Sequence, residues 1–278
     1  MNAHRVRITI LVDDLAGPGL KAEHGFSLWI ETEGRHILFD TGQGGALAFN
    51  ARALGVNLSE TDELILSHGH YDHTGGIAQV AKAAGQVEVY CHPGAVLPRY
   101  GIGNGIPKPI QMPRKSMRAL DNMPAQRLRW VTQPVLLSER IGITGPIPRE
   151  TIYEDTGGPF YLDPEGKRPD PIDDDVALWI RTDEGLVICA GCCHAGLVNT
   201  LNHVRRLTNG SKLRAIIGAF HLLNASDQRL EQTMRRLQSI SPDTVVPCHC
   251  TGERAFEALN KVLRSRLFSG NSGMTFQF

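Results

Sequence analysis

The chain has no run of 18 or more apolar residues, so the sequence offers no candidate transmembrane helix. It also has no net charge, because 29 basic side chains balance 29 acidic ones. This balance argues against a general nucleic-acid or membrane-surface binder. No signal-peptide h-region precedes the first predicted strand, and no internal repeat is visible. We therefore expect a cytoplasmic protein without nucleic-acid or membrane partners.

The six cysteines lack the spacing of a structural zinc site. Four of them stand beside histidines, namely Cys192, Cys193, Cys248 and Cys250. Structural zinc sites typically use C-x₂₋₄-C pairs, whereas one pair here is adjacent and the other is separated by one residue. A structural zinc site is therefore the less favoured alternative. We predict reduced thiols that pack near the site or tune it, rather than a disulfide framework.

Short β-branched strands alternate with helical segments along most of the chain. The predicted strands are 6–12, 26–32, 36–39, 62–66, 87–91, 130–137, 141–143, 176–181, 186–190, 215–218 and 244–246. The predicted helices are 46–54, 77–84, 198–207, 226–239 and 253–267. The 278 residues suffice for one large domain with a substantial core. The order predicts an α/β fold with two facing mixed sheets and outer helices, a four-layer αββα sandwich.

Residues 93–150 differ from this pattern, because prolines break any long element and Gly101–Gly105 is rich in glycine. A long irregular segment in a compact domain is usually functional, so we expect a lid-like insertion, with a disordered surface loop as the alternative. A second Gly/Pro-rich loop spans 156–171. Arg114 and Lys115 are candidate substrate-binding residues, although solvated basic side chains are commoner.

A cluster of ligand-type residues follows the apolar run 64–66, namely His68, His70, Asp72 and His73. A strand that ends in a sharp turn would place these side chains in one small volume. His68 and His70 point the same way on an extended chain, so one ion could take these two and a second could take Asp72 and His73. The alternative, a histidine-rich surface loop, fits poorly after a buried strand. The cluster predicts a hydrolytic site with two divalent ions.

Three further histidines follow predicted strands, as the cluster does. They are His194, His221 and His249. A lone histidine at a strand end is usually a cap or a surface residue. Because sites in layered α/β proteins form at the carboxyl ends of strands, we expect all three to share the site.

Several acidic and polar residues could complete this site. Asp40 ends a strand, and we expect it to accept a hydrogen bond from a ligand imidazole, with a simple turn aspartate as the alternative. His24 lies in a loop before a strand and could face either substrate or water. The acidic run 173–175 could give the metal site one carboxylate or form a solvated turn.

Together these motifs resemble the metallo-β-lactamase superfamily, whose signature is H-x-H-x-D-H after a strand. Five segments resemble one branch of it, named 7,8-dihydropterin-6-methyl-4-(β-D-ribofuranosyl)aminobenzene-5′-phosphate synthase, many members of which are called metal-dependent hydrolases. These segments are 38–42, 68–76, 191–194, 218–222 and 249–252. The resemblance implies the four-layer fold over the whole chain.

The resemblance also implies a distribution of the ligands. His68, His70 and His194 would hold one ion, and Asp72, His73 and His249 would hold the other. Two positions depart from the superfamily pattern. The acidic run 173–175 occupies the turn of the usual third histidine, and Cys192 stands where a bridging aspartate is expected. His194 would substitute for one of these ligands, the second ion could bind weakly, and Cys192 would support the ligands, as Asp40 does.

We predict a metal-dependent hydrolase of a phosphate ester or phosphodiester that uses metal-activated water, with Asp72 and His221 as catalytic residues. It would hold one or two divalent ions, zinc foremost, with iron and manganese as alternatives. The alternative functions are a dihydropterin/aminobenzene ribofuranosyl phosphate synthase-like transferase, a lactonase or thioesterase, and a non-catalytic metal-binding sensor, since fold does not fix function. The expected partner is a small molecule, phosphorylated or pterin-like, and the sequence leaves the oligomeric state open.

Overall fold

Two β-sheets face each other in the structure, a computed structural model that describes residues 5–278. Residues 1–4, part of the segment considered for a signal peptide, lie outside the described residues. The first sheet contains β1 (Arg7–Val12), β2 (Ser27–Thr32), β3 (Arg35–Phe39), β4 (Glu63–Ile65), β5 (Glu88–Cys91), β8 (Leu128–Trp130) and β16 (Thr275–Gln277), in the order β16-β1-β2-β3-β4-β5-β8. The second contains β9 (Val135–Leu136), β10 (Ile141–Ile143), β12 (Ala177–Thr182), β13 (Gly185–Ala190), β14 (Leu213–Ala219) and β15 (Thr244–Cys248), in the order β15-β14-β13-β12-β10-β9.

Helices cover the outer face of each sheet. α1 (Leu47–Ala53), α3 (Ile77–Ala83) and α4 (Arg114–Asp121) contribute to the core outside the first sheet. α5 (Leu197–Leu207), α6 (Asp227–Ile240) and α7 (Glu253–Leu263) pack outside the second, and the short α2 (Tyr71–Thr74) follows β4 at the edge. The predicted αββα sandwich is confirmed. No helix within residues 5–278 is long and apolar enough to cross a membrane.

The strands are apolar on both faces because both faces are covered. Leu28 and Ile30 of β2 point into the core between the sheets, whereas Trp29 between them points to the outer helices. Successive side chains of a strand point to opposite faces, so a strand covered on both sides needs a continuous apolar run. The two sheets therefore bury one apolar layer between them and one beneath each set of outer helices.

Only part of residues 93–150, the segment predicted as a lid-like insertion, lies outside these layers. The helix α4 belongs to an outer layer, β8 joins the first sheet, and β9 and β10 join the second. The separate part is a hairpin of β6 (Tyr100–Gly103) and β7 (Ile106–Pro109). It forms a small third sheet with β11 (Phe160–Tyr161), which lies in the second Gly/Pro-rich loop.

The segment 130–137 is not one strand as predicted, because it crosses between the two sheets. β8 ends at Trp130 in the first sheet, and β9 begins at Val135 in the second. Pro134, which has no N–H to donate, separates them. Most other predicted strands and helices are confirmed, with ends that differ by a few residues.

Candidate metal centre

The candidate site forms at one edge of both sheets, where several strands end. β3 and β4 run parallel, and so do β13, β14 and β15. The carboxyl ends of parallel neighbours lie at the same edge, so residues distant in the chain meet there. Asp40 follows β3, the cluster 68–73 follows β4, Cys192 and His194 follow β13, His221 follows β14, and His249 follows β15.

Four non-glycine residues at these strand ends have a left-handed backbone. The φ angles are +58° at Asp40, +52° at Cys193, +43° at His221 and +45° at His249. Such angles are uncommon outside glycine and require support from the surrounding structure. The sharp turns that follow the strands therefore depend on the packing around them.

Asp40 is fully buried and fixes the loop after β4. Its Oδ1 accepts the Ser67 N–H at 2.7 Å, and its Oδ2 accepts the Ser67 hydroxyl at 2.7 Å. The same Oδ2 lies 2.7 Å from His73 Nδ1. An ionised carboxylate only accepts hydrogen bonds, so His73 carries its proton on Nδ1. Asp40 thus lies behind a cluster imidazole, where the sequence predicted it.

Two more imidazoles each have one nitrogen beside a group that can only accept a hydrogen bond, and this determines which nitrogen carries the proton. His194 Nδ1 lies 2.8 Å from the carbonyl oxygen of Thr156, which can only accept. His68 Nδ1 lies 2.9 Å from Ser67 Oγ, whose own proton is already donated to a carboxylate. As neutral rings, His68, His73 and His194 therefore keep their lone pair on Nε2.

Three imidazoles converge in a buried volume. His68 Nε2 lies 2.9 Å from His70 Nδ1, and the His194 ring centre lies 4.7 and 4.8 Å from those two rings. Within residues 5–278, Nε2 of His70 and Nε2 of His194 are buried without a hydrogen-bond partner. Burial lowers the pKa of all three rings well below the usual value, so they stay neutral. Buried neutral imidazoles, two of which keep an unpartnered nitrogen, fit a divalent metal ion.

The other half of the cluster is a network of carboxylates and imidazoles. Asp72 Oδ2 lies 3.3 Å from His249 Nε2 and 3.4 Å from His24 Nε2. Asp14 contacts the opposite nitrogens, 2.5 Å from His249 Nδ1 and 3.1 Å from His24 Nδ1. Burial alone would lower the pKa of His249, but its two carboxylate partners raise it well above the usual value. Burial alone would raise the pKa of Asp72, but His249 and neighbouring imidazoles hold it well below the usual value.

A cavity of about 510 Å³ borders this half of the site. Its lining includes Asp13, Asp14, Leu15, His249 and Phe256. Burial raises the pKa of Asp13 to about 7, and its Oδ1 accepts the His249 N–H at 2.7 Å. The sequence analysis missed both aspartates. Asp13 and Asp14 are adjacent in the sequence and precede His24, but this is only a weak signal of a functional site. Only the folded chain brings the two aspartates to His249.

Cys192 lies between the two halves of the cluster. Its Sγ is 3.1 Å from His73 Nε2 and 3.5 Å from Cys250 Sγ. All six cysteines are free thiols, and Cys193 and Cys248 pack into the apolar cores. Within the described residues Cys192 and Cys250 group with His221, but Cys193 and Cys248 join no such group, so the four cysteines do not form one structural zinc site.

His221 lies under the third sheet. Its ring centre is 4.5 Å from that of His194, and its Nδ1 is buried without a hydrogen-bond partner among the residues described. Phe160 of β11 packs against His70, His194 and His221, with ring centres 5.2, 5.4 and 5.9 Å apart. Gly157 permits this packing, because a Cβ there would meet His221 Cδ2 at 1.8 Å.

Two residues of the acidic run 173–175, which was expected either to give the metal site one carboxylate or to form a solvated turn, support the ligand loops. Asp174 pairs with the buried Arg99 and accepts the Gly69 N–H at 2.8 Å, between two cluster histidines. Asp175 accepts the Ala195 N–H at 2.6 Å, next to His194. The Asp174 carboxylate thus contacts a guanidinium and a backbone N–H, and one oxygen of Asp175 accepts a backbone N–H.

The predicted substrate-binding residues lie in different surroundings. The His24 side chain is 54% exposed at the edge of the cluster, in contact with Asp72. Arg114 and Lys115 are exposed in the first turn of α4, and no ion pair joins them to the cluster within the described chain. The structure thus brings His24 to the site and does not bring Arg114 and Lys115 there.

Two proteins of known sequence and one of known structure are similar to nearly the whole of this chain. A 7,8-dihydropterin-6-methyl-4-(β-D-ribofuranosyl)-aminobenzene-5′-phosphate synthase of Methanocaldococcus jannaschii is 29% identical over 270 residues, which cover 90% of this chain and 89% of the relative. An uncharacterized protein of the same archaeon is 31% identical, over 92% of this chain and 94% of the relative. The crystal structure of Tm1679, a metal-dependent hydrolase of the β-lactamase superfamily, matches with a TM-score of 0.83 and 29% identity, covering 98% of each chain.

The family assignment rests on the sequence profile of the metallo-β-lactamase superfamily, which matches residues 20–249. That range includes the cluster after β4 and the strand-end histidines up to His249. The four layers and the buried, neutral imidazoles agree with a superfamily whose members bind divalent metal ions. This chain belongs to the metallo-β-lactamase superfamily.

Proposed function

We propose that the protein is a metal-dependent hydrolase of a phosphate ester or phosphodiester. The observation that carries the proposal is the buried cluster of imidazoles at the strand ends. In it His68 Nε2 lies 2.9 Å from His70 Nδ1, the His194 ring packs against both rings, and Asp72 contacts His249. The likeness to Tm1679, described as a metal-dependent hydrolase, supports the reaction type. The 5′-phosphate in the name of the archaeal relative supports a phosphorylated substrate.

The residues divide into two sets of metal ligands in this proposal. His68, His70 and His194 would hold one ion, and a second set would hold the other, namely Asp72, His73 and His249. Zinc suits imidazole and carboxylate ligands, with iron and manganese as alternatives. When bound, the ions supply a Lewis acid that activates water and offsets charge developing on the substrate.

The protein's own groups would position the substrate and move protons. Asp72 would orient the attacking water, since its carboxylate faces both His24 and His249. His221 would donate a proton to the leaving group, because its Nδ1 is unpartnered within residues 5–278 beside the metal ligands. His24 at the edge would donate a hydrogen bond to a substrate anion. The neighbouring cavity of about 510 Å³ would receive the rest of the substrate.

A second candidate is the synthase-like transferase, which the 29% identity to the archaeal synthase favours. It would use the same ligand residues to form a bond between an aminobenzene ribofuranosyl phosphate and a dihydropterin whose 6-methyl carbon carries a leaving group, which departs as the new bond forms. The two candidates differ in product, so one assay separates them.

The test is metal analysis of the purified protein, followed by turnover assays with zinc, iron or manganese added back. The substrates are a phosphodiester, a phosphomonoester, a lactone, a thioester and the dihydropterin–aminobenzene pair. We expect phosphoryl hydrolysis that falls about 100-fold or more in His70→Ala and Asp72→Ala. His36→Ala is the matched control, because this ring stacks on Trp29 away from the cluster.

Each other outcome identifies an alternative. Turnover of only the lactone or thioester would exclude the phosphate substrate. Formation of the condensed pterin product would establish the transferase. Bound metal without turnover of any substrate would leave the non-catalytic sensor.

A further inference from the structure

We infer that Arg229 of α6 is a positioning residue for the proposed site, which orients His194 through the turn formed by residues 155–157. The inference rests on the proposed metal site and adds to it a residue that contacts neither an ion nor the substrate. Arg229 lies in a helix outside the second sheet, away from the strand ends that supply the proposed ligands.

Arg229 is a fully buried arginine in the first turn of α6. Its Nη1 donates to Asp155 Oδ1 at 2.6 Å and to the Asp155 carbonyl oxygen at 3.3 Å. Within residues 5–278 this is the one ion pair of the guanidinium, and Nε and Nη2 have no hydrogen-bond partner. A buried charge is costly unless it is paired, so the contact with Asp155 is the interaction that holds this guanidinium.

Asp155 in turn fixes a short segment that faces the site. The same Oδ1 accepts the Gly157 N–H at 2.9 Å, two residues further along the chain. An aspartate that accepts this N–H forms a turn around the residue between them, which is Thr156. The Thr156 carbonyl oxygen lies 2.8 Å from His194 Nδ1. Because a carbonyl only accepts, the contact places the proton on Nδ1 and leaves Nε2 of His194 for a metal ion.

The residue before the turn contacts the chain that follows His194. Glu154 accepts two N–H groups in the first turn of α5, at 2.8 and 2.9 Å. A Cβ on Gly196 would collide with the Glu154 carboxylate, so the two segments lie directly against each other. A displacement of residues 154–157 would therefore act both on the acceptor of His194 Nδ1 and on the backbone next to this ring.

The first measurement is NMR of the imidazole nitrogens in the metal-free full chain, because the two neutral tautomers of a histidine differ in their nitrogen shifts. We expect His194 in the Nδ1–H form, with its signal assigned by its loss in His194→Ala. Arg229→Met should introduce the Nε2–H form. Arg235→Met is the matched control and should change nothing, since Arg235 is an exposed residue of the same helix that pairs with Glu231.

The second measurement is zinc affinity by chelator competition. Residues that orient a ligand imidazole affect metal affinity about 10- to 100-fold, so Arg229→Met should weaken one of two zinc ions about tenfold and leave the other unchanged. Arg229→Lys keeps a donor for Asp155 and should lose less affinity. Asp155→Ala should act like Arg229→Met, whereas Asp155→Asn keeps the acceptor and should retain the affinity. The Asp155 side chain is 72% exposed, so Asp155→Ala gives a second measurement if Arg229→Met folds poorly.

The outcomes separate the inference from the proposed function. A lower melting temperature in Arg229→Met, with the His194 tautomer and both zinc affinities unchanged, would assign a structural role and overturn the inference. Equal weakening of both zinc ions would also overturn it, as would the Nε2–H form of His194 in the unchanged chain. Zinc binding with the expected changes but without turnover would overturn the hydrolase alone. A tautomer change in a chain that binds no zinc would leave the orientation of His194 intact and overturn the metal site.

Discussion

Asp40 lies behind the proposed ligands and determines where two of them point. Its carboxylate accepts three hydrogen bonds, two from Ser67 and one from His73. Through Ser67 Oγ the same carboxylate also fixes His68. Residues that hold ligand imidazoles in this way affect metal affinity although they do not touch the ion.

We expect Asp40→Asn to weaken metal binding about 10- to 100-fold, because the amide cannot accept every bond that the carboxylate accepts. Asparagine tolerates the positive φ of this position, so the backbone should persist. Chelator competition measures the affinity. The control is Asp62→Asn, which changes an exposed carboxylate that accepts the His36 N–H. Equal affinities in Asp40→Asn and the unchanged protein would exclude this role.

The part of the site that the sequence predicts lies within one short segment. The part that it misses joins residues that are far apart in the chain. His68, His70, Asp72 and His73 fall within six residues, so their spacing alone predicts a shared volume. Asp14 lies 235 residues from His249, and no pattern in the sequence joins them. The acidic run before β12 has metal-ligand chemistry, but only the fold shows that buried Arg99 and backbone N–H groups already occupy it.

At the scale of elements, the small third sheet connects the site to the surface. β11 pairs with β6, and Phe160 of β11 packs on the imidazoles. The segment that follows β7 also contacts the cluster, because the Tyr71 N–H donates a hydrogen bond to the Ile110 carbonyl oxygen at 2.9 Å. Most of the hairpin itself is exposed, including Ile106 at 63%. The hairpin therefore contributes little to the core, and we propose that it borders the substrate above the imidazoles.

Replacing residues 102–108 with two glycines should raise the KM of the substrate about tenfold, which corresponds to roughly 1.4 kcal/mol of binding. The free energy of unfolding should change by less than about 1 kcal/mol, because the removed side chains are largely exposed. Steady-state kinetics and thermal melts measure these quantities. Metal content is the internal control and should stay constant. An unchanged KM would show that the hairpin does not contribute to the pocket.

Two of the elements that the sequence analysis missed, β6 and β7, have no periodic apolar pattern. β6 and β7 contain glycine, proline and lysine, and they are strands only because they pair with each other and with β11. The segment 130–137 has the β-branched composition of one strand, but the space between two sheets divides it. Strands that are buried on both faces, such as β2 and β13, were predicted because their apolar runs are continuous.

At the scale of the molecule, the proposed ligands come from both sheets. The cluster after β4 belongs to the first sheet, and His194 and His249 follow strands of the second. An ion held by both groups would link the sheets at the open edge of the sandwich. Such a ligand binds the folded chain and stabilises it by mass action.

We expect zinc to raise the unfolding temperature by several degrees, since a free concentration 100-fold above Kd contributes about 2.7 kcal/mol. Calorimetry with zinc and after chelation measures the shift. Magnesium, which prefers oxygen ligands, is the control and should shift the temperature little. His194→Ala should reduce the zinc effect. Identical melting with and without zinc would contradict a linkage between the sheets.

The left-handed backbone at the strand ends limits how this scaffold can be engineered. Each such residue costs about 1 to 3 kcal/mol, and glycine would remove much of that cost. At Asp40, His221 and His249 the exchange would also delete a side chain on which the proposed chemistry depends. Only Cys193 could be exchanged without that loss. Selection for thermostability with activity retained should therefore accumulate substitutions far from the proposed site. Selection for stability without any requirement for activity should instead replace the residues of the site itself.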